Sequence, residues 1–143
     1  MFFPNSDTLA FFVLSLLFFI ITGGLVGSAV SYTKTTELIT YDPPSVKEGP
    51  LLPEEFSYHC SVLVGEFAYL IGGHDTPSKV LAIDIRTSDM TYKSELNHGR
   101  FYHACAEITG INPKIIISGG FYDNVSKSTE IYDIANDSWI DGK

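Results

Sequence analysis

Apolar residues in this chain come in short runs, and the runs recur in a fixed order. One kind of run ends in a glycine pair three times: FFIITGG closing at Gly23-Gly24, FAYLIGG at Gly72-Gly73 and KIIISGG at Gly119-Gly120. A polar stretch follows each pair, and then a second run that stops at an aspartate: TTELITYD at Asp42, KVLAID at Asp84 and STEIYD at Asp133. In the second and third units another run comes first, SYHCSVLV before Gly65-Glu66 and FYHACAEI before Thr109-Gly110-Ile111-Asn112-Pro113. Gly-Glu and Gly-Ile-Asn-Pro are hairpin-type breakers. A last apolar segment closes these two units, DMTYKSEL around Tyr92 and DSWI around Trp139. Short runs of Ile, Val, Thr and Tyr bounded by Gly, Pro, Asn and Asp suit half-buried pleated surfaces, and they predict four antiparallel strands per unit.

The glycine pairs begin at residues 23, 72 and 119, a spacing of 49 and then 47. A unit of that length is one small sheet that cannot bury both its faces alone, so the units are expected to stack. Repeated four-stranded antiparallel sheets are the blades of a propeller. The expectation is an all-β fold with two complete blades, 56–99 and 100–143, preceded by a partial blade and linker, 30–55, that contains Glu37 to Asp42. A propeller closes with typically about 4–8 blades. These units are therefore expected to be a fragment of a longer product, or else to complete a ring by association between copies.

The recurring residues resemble the kelch-repeat family, whose blades carry a Gly-Gly pair after the second strand and a spaced Tyr and Trp later. The third unit matches best, with Arg100 and His103 ahead of the first strand, Gly119-Gly120, then Glu130, Tyr132, Asp133 and Trp139. The second keeps His59, Gly72-Gly73 and Asp84, with Ala82 and Tyr92 for the aromatic pair. The first keeps Gly23-Gly24, Glu37, Tyr41 and Asp42 and has no later Trp. The resemblance spans about residues 20–143 and implies that Gly23, Gly24, Gly72, Gly73, Gly119, Gly120, Tyr132 and Trp139 define the repeat.

The N-terminal region carries a different signal. No charged residue lies between Asp7 and Lys34, and Leu9 to Ile21 is apolar apart from Ser15. The run is long enough for a signal-peptide core, and with Thr22 to Val30 it approaches the roughly 20 residues that span a bilayer. Gly27-Ser28-Ala29 has the small residues of a cleavage site, whereas the segment before the run lacks Lys and Arg and carries Asp7. Two readings stay open. Residues 1–29 are a leader that directs the chain to the secretory pathway or associates with a membrane through residues 9–27, or FFIITGG is a blade strand and Leu9 to Phe18 is a shorter targeting leader or no leader at all; a cytoplasmic location is the alternative to the secretory one.

Candidate chemistry narrows the function more by exclusion than by a motif. A net charge of −8 with Lys and Arg scattered singly argues against nucleic acid. Asp84, Asp89, Asp133 and Asp137 lack calcium-loop spacing and read as turn carboxylates. His59 and His103 recur at one repeat position, forty-four apart, which favours a structural role over a metal ligand. The zinc, thiol-redox and nucleophile-elbow patterns are missing, so no catalytic residue, metal or cofactor is expected. Cys60 and Cys105 follow His59 and His103 by one and two residues, so strand alternation points them to opposite faces and predicts two buried free thiols. Two glycosylation sequons, Asn124-Val125-Ser126 and Asn136-Asp137-Ser138, are too few to separate from chance.

Kelch propellers, by resemblance, mostly bind other proteins through loops at one face of the ring. The candidate contact residues here are His74, Asp75, Arg100, Phe121, Tyr122 and Asp123, in the loops around the glycine pairs. They bring aromatic and hydrogen-bonding groups without a convergent acid, base or nucleophile. The expected function is non-catalytic binding of a protein partner. The resemblance leaves two alternatives, a fragment of a BTB-kelch substrate adaptor for a cullin ubiquitin ligase and a fragment of a galactose-oxidase-like propeller enzyme.

Overall fold

Each run pairs with the run beside it in sequence, the arrangement that closes strands with the least loop entropy. The computed structural model describes residues 11–14, 18–22, 34–41 and 43–142. The first sheet holds β1 (Phe11–Leu14), β2 (Phe18–Thr22), β3 (Thr36–Tyr41) and β4 (Pro44–Glu48). The second holds β5 (Cys60–Val64), β6 (Phe67–Ile71), β7 (Val80–Asp84) and β8 (Met90–Lys93). In the third, β9 (Ala104–Ile108), β10 (Lys114–Ser118), β13 (Thr129–Asp133) and β14 (Ser138–Asp141) lie side by side. A two-stranded hairpin, β11 (Phe121–Tyr122) and β12 (Asn124–Val125), projects between β10 and β13. All pairings are antiparallel. The fold is all-β, with no helix among the described residues.

The first unit differs from its expectation. It is a complete four-stranded sheet, because Phe11–Leu14 and Phe18–Thr22 pair with each other and β2 pairs with β3. The apolar run read as a leader therefore supplies two strands. Gly23, Gly24 and Asp42, and the proposed cleavage site at 27–29, lie outside the described residues. Among those described, no helix is long and apolar enough to cross a membrane.

Strand alternation gives the second sheet two apolar faces, and both are covered. On one face Ala68, Leu70, Leu81 and Ile83 pack with Leu52 and Phe56 of the preceding linker and with Leu38 of β3. On the other, Tyr69, Ile71, Val80 and Ala82 meet Ile115, Ile117, Tyr132 and Trp139 of the third sheet. Burying one such aliphatic side chain stabilises by about 1.5–3 kcal/mol. The far face of the third sheet is open: Ile140 is 54 % exposed and Ile108 40 %.

Stacking also overturns the expectation of free thiols, since Cys60 and Cys105 form a disulfide with their Cα atoms 6.0 Å apart. Register explains it. Cys60 is opposite Ile71 and Cys105 opposite Ile117, on faces that are opposite in the repeat. In a stack, one face of a sheet meets the opposite face of the next, so residues that alternation drives apart within a unit are brought together between units. The first strands β1, β5 and β9 follow one another in space, which places the two cysteines side by side.

The segment joining the second and third sheets is tied down by polar groups. Trp139 donates its indole N–H to the Ser94 carbonyl at 2.9 Å, and the Ser94 N–H donates to Asp137 at 2.9 Å. Glu130 accepts from the Asn97 N–H at 2.8 Å and from Arg100 at 2.7 Å, both ion-pair partners being buried. Tyr132 stacks on Trp139 with centroids 4.9 Å apart and donates its hydroxyl proton to Asp137.

Candidate functional site

The glycine pairs stand at one end of the second and third sheets, and the following segment closes over them. Gly73 donates to the Arg100 carbonyl at 3.0 Å, His74 to the Ser57 carbonyl at 2.9 Å, and Tyr102 to the Tyr58 carbonyl at 3.0 Å. Phe101 and Phe121 exchange both backbone hydrogen bonds, at 3.0 and 2.8 Å. Such close approach needs glycine. A Cβ at Gly120, where φ is +96°, would lie 2.8 Å from the Phe101 carbonyl oxygen and 2.9 Å from the His103 Cβ.

Backbone zipping gathers aromatic rings from four loop positions into one cluster. Tyr58 and Tyr102 are 4.5 Å apart between centroids, Tyr102 and Phe101 5.1 Å, Phe101 and His74 5.3 Å, and Phe101 and Phe121 5.5 Å. Tyr102 remains 60 % exposed. Tyr58 and Tyr102 occupy the same repeat position and share a left-handed backbone, with φ of 55° and 56°. That conformation is uncommon for bulky residues, and strain of this kind gathers at ligand clamps and active sites. His74 is hydrogen-bonded through Nδ1 to Asp75 at 3.1 Å, and the pair is half exposed at the rim of the cluster.

Two further histidines lie beneath this surface. His59 is buried, and burial holds its pKa at about 4, with His103 nearby adding to the depression. His103 is also held at about 4, by burial first and then by the Arg100 charge. Both rings are neutral at physiological pH and pack against the glycine pairs, with the His103 Cβ beside Gly120 and the His59 Cβ beside Gly73. Among the described residues, no group of three or more His, Cys, Asp or Glu could hold a metal ion.

Beside the ring cluster an open cleft of about 550 Å³ runs between residues 97–99 and the β11–β12 hairpin, lined by Asn97, His98, Tyr122, Asn124 and Ser126. Asp123 sits at the hairpin tip with φ of 58°. The end of the molecule thus offers an aromatic platform, a charged rim and a polar cleft.

Of the residues picked from sequence, His74, Asp75, Phe121, Tyr122 and Asp123 are all exposed at this end. Arg100 is not. It is 1 % exposed and donates to the carbonyls of Gly119 and Ser128 at 2.9 and 3.0 Å besides pairing with Glu130, so it locks the loops from inside. It was placed among the contact residues for its position in the loops around the glycine pairs; a buried carboxylate and the loop carbonyls account for it instead. Tyr58, Phe101 and Tyr102 were missed as site residues. Their signal was present in the aromatic that precedes the repeated histidine, Tyr58-His59 and Phe101-Tyr102-His103. No family model matches the chain, and no characterised protein matches it.

Proposed function

We propose that the chain is a segment of a kelch-type propeller that binds a protein partner through the glycine-pair end, without catalysis. The observation that carries this reading is the ring cluster of Tyr58, His74, Phe101, Tyr102 and Phe121, held by strained tyrosines and backbone hydrogen bonds between loops. Rigid aromatics with polar tips are common anchors at interfaces, because they bury much area for little lost freedom. The kelch reading is supported by the repeated order of strands and by the open apolar face of the third sheet. That face repeats the face of the second sheet which the third sheet covers, and it suits a further sheet of the same kind.

The disulfide supports an oxidising compartment, the secretory pathway or the cell exterior. It weighs against the cytosolic ligase-adaptor alternative. Support for a secretory route thus comes from the cysteines rather than from the apolar run.

A photo-crosslinking residue at Tyr102 or Tyr122 tests the binding reading against one at Ile111, which is fully exposed in the β9–β10 turn at the other end of the sheets. Incubation with extracellular and cell-surface protein should give a discrete adduct from the first two positions only, lost when His74→Ala is added. Equal adducts from both ends, or none, would overturn it.

A further inference from the structure

Two asparagines stand out once the cysteines are known to be joined. Asn124 lies in the β11–β12 hairpin and Asn136 in the turn between β13 and β14, and both are exposed. Each heads an Asn-x-Ser triplet with no proline in the middle, Asn124-Val125-Ser126 and Asn136-Asp137-Ser138. The backbone at each is tied in place, by pairing of Asn124 with Tyr122 and by the Asn136 N–H donating to Asp133 at 3.2 Å. The Asn136 side chain also hydrogen-bonds the Asp133 carboxylate at the exposed edge of the turn. A triplet alone is weak; exposure in a turn and a disulfide that marks an oxidising compartment are independent of it.

We propose that Asn124 and Asn136 carry N-linked oligosaccharides. In the transfer, the side-chain amide nitrogen attacks the anomeric carbon of a lipid-pyrophosphate-linked oligosaccharide. The nitrogen–carbon bond forms and the carbon–oxygen bond to phosphate breaks. The lipid pyrophosphate leaves with the electron pair, and an oligosaccharyltransferase base takes the amide proton. The two sites lie at opposite ends of the third sheet. β13 begins beside the Gly119 loop, where the Gly119 N–H donates to the Ser128 carbonyl at 3.1 Å, and runs away from it, so Asn136 is about 17 Å from the ring cluster end. A glycan there leaves the aromatic platform clear. One at Asn124 borders the 550 Å³ cleft.

The inference rests on the oxidising-compartment reading, and the experiment separates the two. The full chain with a C-terminal tag is expressed in eukaryotic cells, once with its own N-terminus and once behind a foreign signal peptide. Each product is treated with peptide N-glycosidase, and conversion of Asn to Asp is located by peptide mass. Two mobility steps are expected, with Asn124→Gln and Asn136→Gln each removing one and the double variant both. Glycans seen only behind the foreign signal keep the sites and refute the secretory route of the natural chain. A secreted, disulfide-bonded product unmodified at both positions would overturn the proposal, and a glycan at one position alone would overturn the other.

Discussion

The second and third sheets are built from the same four strands in the same order, yet they live in different surroundings. The second is covered on both faces, by the linker and first sheet on one side and the third sheet on the other. The third is covered on one face only, and Ile108 and Ile140 on the other are exposed. The burial strings follow: β7 reads buried at four positions in succession, whereas β10 and β13 alternate. Alternation here reports an uncovered face rather than a different kind of strand.

Substitutions can break or sharpen that contrast. The largest effect is expected at the joint between the sheets. Arg100→Ala strands Glu130 as an unpaired buried carboxylate and should cost about 3–5 kcal/mol in urea unfolding. A loss no larger than that of a surface change would show that the pair does not hold the joint.

Next comes a direct comparison of the two sheets. Leu70→Ala, in the doubly covered sheet, should cost about 2–5 kcal/mol, and Ile140→Ala, on the open face, no more than about 0.5 kcal/mol. Equal losses would mean that the faces do not differ as described. The cross-link between the sheets should rank third. Cys60→Ala with Cys105→Ala releases a loop of sequence separation 45 and is expected to lower stability by about 2–4 kcal/mol.

Acid should act through the histidines under the loop end. Their folded pKa values, about 4, lie below the ordinary value of 6.5, so the folded state binds fewer protons than the unfolded chain. Their contribution is complete above pH 6.5 and is lost as pH falls from there through 4. Each ring should account for about 1–2 kcal/mol by pH 5, and His59→Gln should flatten the corresponding part of a pH series of unfolding curves.

Local chemistry was readable in advance and relations between sheets were not. Gly72-Gly73 and Gly119-Gly120 could be read as strand breaks because their positive φ is a local property of glycine, whereas the close packing of neighbouring loops against Gly72, Gly73 and Gly120 could not. Tyr92 and Trp139 marked outer strands through local alternation. The disulfide was missed because face assignment within a sheet says nothing until the stacking sense is known. Arg100 was misplaced because its carboxylate partner lies 30 residues ahead. FFIITGG was open to reading as a leader or as a strand, and Phe11–Leu14 before it was not read as a strand because the run has no turn glycine to divide it. In the candidate site, His74 and Phe121 could be found beside the glycines, while Tyr58 and Tyr102 join them only through a backbone bond between units.

The central claim is that successive sheets stack with opposite faces in contact, which aligns their loop ends into one surface. The cysteines report on this directly, since they meet only if the sheets stack in that sense. Full chain directed through the secretory pathway by a foreign signal peptide and isolated under thiol-blocking conditions should, on non-reducing peptide mass mapping, yield a single linked pair containing Cys60 and Cys105. Blocked free thiols at both positions in folded, exported protein would contradict the account.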